Sequence, residues 1–348
     1  MTRVLIRCQL GGDAGLGHAS RMRALATALT ARGAEVHFLT QSPALASFVS
    51  YPCHLLGEFA LSGRDILIFD MKGPLDDIVP WYATYTDYLD GKIVLIDRPD
   101  IDGAWVNLSI LPNAHQSQAT LSRLRQTFGT RLLAGWDYVL LEDEVTRQAP
   151  IPYRERVAGP IVFCAGGSDP TQALATMWRC SERLLPAIQK FFLIGTLAQQ
   201  PRSVVGAKDY ETTHPWRWHW PGQAYPWQDG PHYPMPFVRE HLREAALVVT
   251  LFGQTCYEAL WWQTPTLCLA HTDENSAGAR ALTLASGGAV RYIGSLDPQH
   301  PDHTTPAAFC NNIQHAWDIS RQAQHAASAG LFDGQGVQRV ADAILRLL

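Results

Sequence analysis

Short apolar runs recur along the chain, separated by stretches whose apolar residues return every three or four positions. The runs in the first half are "RVLIRCQL", "EVHFLT", "DILIFD", "KIVLID" and "LSILPN". Each is four to eight residues long, bounded by turn formers and rich in β-branched and aromatic residues, which predicts buried strands. Between them, "ASRMRALATALTARG" puts Met22, Leu25, Ala26 and Leu29 on one helical face and stops at Gly33. "DIVPWYATYTDYLDG" is a second predicted helix. Apolar strands alternating with amphipathic helices predict a parallel sheet covered on both faces.

The rhythm pauses at "RQAPIPYRERVAGP" (147–160), whose prolines and charges have no period and predict a linker. It then restarts with "PIVFCAGG", "FFLIGTL", "ALVVTLF", "PTLCLA" and "AVRYIG". The expectation is two α/β domains, 1–152 and 153–348, with the last helix packing back on the first domain. In open sheets of this kind ligands bind beyond the carboxyl ends of the strands, so the expected site is the cleft between the domains. One segment breaks the pattern: "THPWRWHWPGQAYPWQDGPHYPMP" (213–236) holds four of the eleven Trp residues among repeated prolines. It predicts an irregular excursion, either packed on its own aromatics or serving as a platform for a sugar or acceptor.

Composition narrows the classes. At 348 residues, with 47% hydrophobic and 17% charged residues, the chain has material for two cores. A net charge of −4 without a basic cluster argues against nucleic acid as a partner. Seven scattered cysteines, never spaced as CxxC, are expected as reduced thiols, with neither a disulfide framework nor a metal site. No run approaches the ~18 apolar residues of a membrane span and no secretory pattern opens the chain, so a cytoplasmic location without an integral membrane segment is expected.

Candidate chemistry sits at three turns between a strand and a helix. In "GGDAGLGHAS" the glycines, Gly15 and Gly17 among them, free helix N–H groups for an anion and let a bound group approach the backbone. A dinucleotide fingerprint fails here: Ser20 stands at the third glycine, and "EVHFLT" carries no acid at its carboxyl end. His18 at the helix start is a different device. The positive end of the helix disfavours an imidazolium and leaves the ring able to accept a proton, as a general base must. The second turn, "CAGGSDP", pairs Gly166 and Gly167 with Ser168 and Asp169; capping of the following helix accounts for Asp169, while the double glycine points to close approach of another group. The third, Gly253–Gln254–Thr255, offers backbone N–H groups to a phosphate, with Glu258 one turn on, positioned for vicinal ribose hydroxyls.

In this order and spacing the three pieces resemble the nucleotide-sugar enzymes of the GT-B fold, and most closely the UDP-2,4-diacetamido-2,4,6-trideoxy-β-L-altropyranose hydrolases of pseudaminic acid biosynthesis. The resemblance runs the length of the chain. "GLGHASRMRALATAL" matches GxGHxxRxxxLA, "GWDYVLLEDE" a Tyr-Ala-Leu-Leu segment, and "GGSDP" a GG[ST]D turn. "GQTCYEAL" matches the nucleotide-binding helix, "DEN" an active-site Asn, and "FDGQGVQRVADAIL" the closing helix. The lipid II-forming N-acetylglucosaminyltransferase carries a similar GxGH. The resemblance implies two Rossmann-like α/β domains whose parallel sheets face a central cleft. It implies that His18 activates water against the anomeric carbon of a UDP-sugar, that Asn275 shares the pocket, and that Arg21, Glu258 and the turns at Gly166 and Gly253 bind the substrate. Neither metal nor redox cofactor is implied. Where the family pattern has Asp-His-Tyr the chain has Asp70–Met71–Lys72, and where it has Asp-Asp the chain has Asp97–Arg98; Glu142 and Ser276 replace an Arg and a Gln, all on the sugar side. The alternative is an inverting glycosyltransferase, with His18 deprotonating an acceptor hydroxyl of a surface polysaccharide or other glycoconjugate. A binding protein without catalysis would not need His18.

Overall fold

The computed structural model describes residues 2–10, 16–40, 44–55, 65–72, 92–101, 103, 105–169, 171–181, 184–195 and 232–348. Gly15, the helix expected over 77–91 and the aromatic segment up to residue 231 lie outside the described residues.

Two compact units emerge. The first contains Met1–Leu10, Leu16–Gln148 and Gly330–Leu348; the second contains Ala149–Ala329. Strands of the first unit are β1 (Arg3–Cys8), β2 (Glu35–Thr40), β3 (Cys53–Leu55), β4 (Ile66–Asp70), β5 (Lys92–Ile96), β6 (Leu108–Leu111) and β7 (Leu132–Ala134). They form one sheet in the order β3-β2-β1-β4-β5-β6-β7, all parallel. The period-2 geometry of a strand sends Val4 and Ile6 to one face and Leu5 to the other. On the first face they meet Met22, Leu25 and Leu29 of the Gly17–Thr30 helix. On the second, Leu5 meets Leu67, Leu95, Leu124 and Phe128. A sheet buried on both faces explains why its central strands read as unbroken apolar runs.

The Gly336–Leu345 helix also belongs to this unit. Val337, Val340, Ala341 and Ile344 join the cluster around Val4 and Met22. A Cβ on Gly336 would meet the Val139 carbonyl, so only glycine permits this approach. Trp136 stacks on Phe332 at 5.6 Å, which fastens the start of the returning segment.

The second unit contains β8 (Ile161–Cys164), β9 (Lys190–Ile194), β10 (His232–Pro236), β11 (Leu247–Leu251), β12 (Thr266–Ala270) and β13 (Val290–Ser295), in the parallel order β10-β9-β8-β11-β12-β13. Its core gathers Phe163, Trp178, Phe192, Val249, Leu267 and Phe309. β10 corrects the expectation of irregular chain throughout 213–236: its last five residues pair with β9 as an edge strand, where proline costs no central ladder bond. The expected linker is corrected as well, because Tyr153–Arg156 is a short helix. Arg156 is buried and its guanidinium donates to the carbonyls of Ile151, Arg243, Ala245 and Trp262 and to Thr264 Oγ1. Charge without period therefore hid an internal staple.

All seven cysteines are free thiols. No helix among the described residues is long and apolar enough to cross a membrane.

Candidate functional site

In each unit the first strand of the series lies inside the sheet, and the chain winds away from it in both directions. The change of direction falls between β1 and β4 in the first sheet and between β8 and β11 in the second. Crossovers diverge at such a point and leave a crevice at the carboxyl ends of the two strands, where ligands of open α/β sheets bind. His18 follows β1 and Asp70 ends β4; Gly166 follows β8 and Gly253 follows β11.

His18 is the second residue of the Gly17–Thr30 helix, whose first turn carries no acidic residue. Its ring is buried, and Nδ1 lies 2.6 Å from Asp70 Oδ1. Asp70 is fully buried. Burial alone would raise its pKa, but Arg21 and then His18 outweigh that and hold it down to about 2. An ionised carboxylate only accepts hydrogen bonds, so Nδ1 carries the proton toward Asp70 and Nε2 is left as the acceptor. Among the described residues nothing else hydrogen-bonds to that nitrogen. A carboxylate that fixes the tautomer of a histidine in this way equips the ring to accept a proton at Nε2.

Arg21, one turn after His18, was expected to contact substrate. Its guanidinium is held by two carboxylates. Nε donates to Asp70 Oδ2 at 2.7 Å, Nη2 to Asp70 Oδ1 at 2.5 Å, and Nη1 to Asp97 Oδ2 at 3.0 Å. Asp97 Oδ1 accepts from Asn113 Nδ2 at 2.7 Å. Burial opposes ionisation of Asp97, and Arg21 overcomes it, leaving its pKa lowered. Asp70, Asp97 and Asn113 were not among the expected site residues. Asp70 and Asp97 stand where the family pattern also has Asp, and the departures lie beside them at Met71, Lys72 and Arg98. The signal that could have found them is an acid closing each of two buried apolar runs, "ILIFD" and "KIVLID", since a charge at the end of a buried strand needs a partner.

The departures at Arg98, Glu142 and Ser276 have structural explanations. Arg98 is buried and pairs with Asp100. Glu142 accepts from Ser20 Oγ at 2.6 Å and from Arg23 Nη2 at 2.6 Å, so the acid at this position clamps the His18 helix. Ser276 is buried, with its hydroxyl 3.0 Å from Tyr292 Oη and 3.1 Å from His300 Nε2.

In the second unit, Gly166 has φ +76°, a left-handed conformation in which only glycine is unstrained. The group that approaches the double glycine closely is Gly195 at the end of β9: a Cβ there would strike the carbonyl oxygens of Gly166 and Gly167. Ser168 follows in the turn. Asp169 accepts from Ala173 N at 2.7 Å and Leu174 N at 3.3 Å, capping the Ala173–Ser181 helix, and burial raises its pKa to about 6. Gly253 precedes the Gln254–Trp261 helix in extended conformation, and a Cβ there would meet nothing. Neither backbone strain nor packing demands glycine at that position, which leaves room over the helix start. Thr255 and Glu258 are buried in the first turns, and Arg239 Nε donates to Glu258 Oε1 at 3.2 Å. Asn275 exchanges hydrogen bonds with Thr272: its N–H donates to Thr272 Oγ1, which donates in turn to Asn275 Oδ1 at 2.9 Å. That is a helix cap in the second unit, whereas His18 stands in the first. Among the described residues no three metal-ligating side chains converge.

The fold these sites occupy is GT-B, two α/β units each built on a parallel sheet, as the solved structures it matches share it. One is the glycosyltransferase of kitacinnamycin, 13% identical over 99% of both chains with a TM-score of 0.64. Another is Os79 from O. sativa in complex with UDP, 11% identical over 99% of this chain and 100% of that one, with a TM-score of 0.59. A third is MurG from Acinetobacter baumannii, 15% identical over 99% and 100%, with a TM-score of 0.57. No family model and no curated protein matches the chain.

Proposed function

We propose that the protein is an inverting glycosyltransferase that moves a sugar from a nucleoside diphosphate, UDP by preference, to an acceptor hydroxyl. The observation that carries this reading is the buried His18–Asp70 pair at the carboxyl ends of β1 and β4, with Nε2 left to accept a proton. The acceptor hydroxyl gives its proton to Nε2 as its oxygen forms a bond to the anomeric carbon. The bond from that carbon to the diphosphate breaks on the opposite face, and UDP leaves with the electron pair. Asp70 stays ionised and stabilises the imidazolium. The turns at Gly166 and Gly253, with Ser168, Gln254 and Thr255, offer backbone N–H groups to the diphosphate, and Glu258 meets the ribose. Asn275 and Asp169 enter this reading as helix caps.

Support for UDP comes from a fold neighbour solved with that nucleotide. Support for transfer over hydrolysis comes from neighbours described as glycosyltransferases, and from the sugar-side positions that differ from the hydrolase pattern, Met71, Lys72, Arg98 and Glu142. The pseudaminic acid hydrolases remain the point of sequence resemblance; none of the structures compared above lends support to water as the nucleophile. The test is a panel of UDP-, GDP- and CMP-sugars, with and without candidate glycan acceptors, assayed for free nucleotide. Transfer predicts release that depends on an acceptor and favours UDP donors. Equal release without any acceptor would replace it with hydrolysis.

A further inference from the structure

The proton-accepting pair is surrounded by more charge than a His–Asp couple needs. A single guanidinium, Arg21, bridges two carboxylates, Asp70 and Asp97. Asp97 is no loose surface acid. Its N–H donates to Ile110 O at 2.8 Å, its backbone sits at φ +57°, and both its carboxylate oxygens are engaged, one by Arg21 and one by Asn113. Side-chain exposures of 0% for Asp70, 12% for Arg21 and 21% for Asp97 leave these charges poorly screened by water.

We propose that Asp97 is a positioning residue that cancels the charge of Arg21, so that the negative charge of Asp70 remains available to the imidazolium formed when His18 takes a proton. This rests on His18 being the base. The charge count explains why a second acid is present. Two carboxylates and one guanidinium sum to −1 beside a neutral His18, and to zero once the ring is protonated. Without Asp97, Arg21 and Asp70 already cancel, and protonation of His18 would leave an unpaired positive charge in a buried place. Arg21 therefore does two things: it holds both oxygens of Asp70, with its Nη2 3.1 Å from His18 Nδ1, and it needs Asp97 so that its own charge does not oppose the proton transfer. The other titratable groups facing this cluster are His115, next to Asp97, and the Cys8 thiol beside Asp70, which burial keeps neutral.

The test reads the His18 ring directly, by NMR titration of the imidazole in the full-length protein, with the signal assigned by its loss in His18→Ala. Asp97→Asn is expected to lower the titration midpoint by about one pH unit, and Arg21→Met to raise it by about the same. Asp97→Glu is expected to restore it. Opposite signs are the signature, because a bracing role would move the midpoint in neither variant or in both alike. With the donor and acceptor identified by the sugar panel, Asp97→Asn is also expected to lower kcat about tenfold while KM for the donor is kept. Midpoints that do not move, or that move together, overturn the proposal. Should Arg21→Met not fold, Asp97→Asn and Asp97→Glu decide it by themselves. Full turnover by His18→Ala would instead remove the base assignment, a separate failure that leaves the charge measurement standing.

Discussion

Replacing Asp70 with asparagine separates what the carboxylate does for the fold from what it does for the reaction. The native carboxyl is fully buried and holds its proton only below a pKa of about 2, against an ordinary value of 3.8. The difference is about two units, and at about 1.4 kcal/mol per unit the ionised form favours the folded state by about 2 to 3 kcal/mol. Because the native pKa is depressed, this stability is complete above about pH 4 and is lost as the pH falls through about 2. Asp70→Asn is therefore expected to unfold at lower urea concentration at pH 7 and pH 5, with the gap from wild type closing between about pH 4 and pH 2. An amide can still accept from Nδ1 but brings no charge to the imidazolium, so turnover is expected to fall by about 10³-fold or more. Urea denaturation at several pH values and initial rates on the same preparations make the comparison. A gap that persists undiminished at pH 2, or full turnover in the variant, would refute the reasoning.

Two further substitutions probe the second unit. Asp169 is buried with its pKa raised to about 6, so its charge costs stability at neutral pH and the cost is relieved as pH falls from about 6 toward 4. Asp169→Asn, whose single oxygen keeps the shorter cap on Ala173 N and gives up the longer one on Leu174 N, is expected to raise stability at pH 7 by about 1 kcal/mol, whereas Asp169→Ala is expected to lower it; urea denaturation at pH 7 measures both. Gly195→Ala would drive a methyl group into the carbonyls of Gly166 and Gly167. It is expected to weaken UDP binding at least tenfold by calorimetry, while the far-UV spectrum stays that of the wild type.

How far the sequence carries this account depends on burial. β1, β2, β4, β5 and β6 read directly as apolar runs because helices cover both faces of the sheet, as do β8, β9, β11, β12 and β13. β3 and β7, three residues each, and β10, with two prolines, lie at sheet edges and lack that two-sided apolar signal, whereas β13, also at an edge, is six residues long and keeps an apolar run. His18 was legible because a histidine at a glycine-rich helix start is chemically odd wherever the helix packs. Its partner was not. Asp70 reaches His18 only because β4 pairs with β1, and strand order is a property of the folded sheet rather than of any local window. The same holds for Arg21, whose position in GxGHxxR gives no sign of the carboxylates at the ends of β4 and β5 that hold it. Arg156, read as linker charge, is caged by carbonyls from chain some hundred residues away. The capping of Asp169, by contrast, is a local matter and was readable from "GGSDP".

The central claim is that one imidazole, oriented by Asp70, removes the acceptor's proton as UDP departs. Steady-state turnover of His18→Ala against wild type, at saturating UDP-sugar and acceptor, tests it most directly. The account predicts a loss of about 100-fold or more in kcat with donor affinity unchanged. A variant that turns over at the wild-type rate would contradict it.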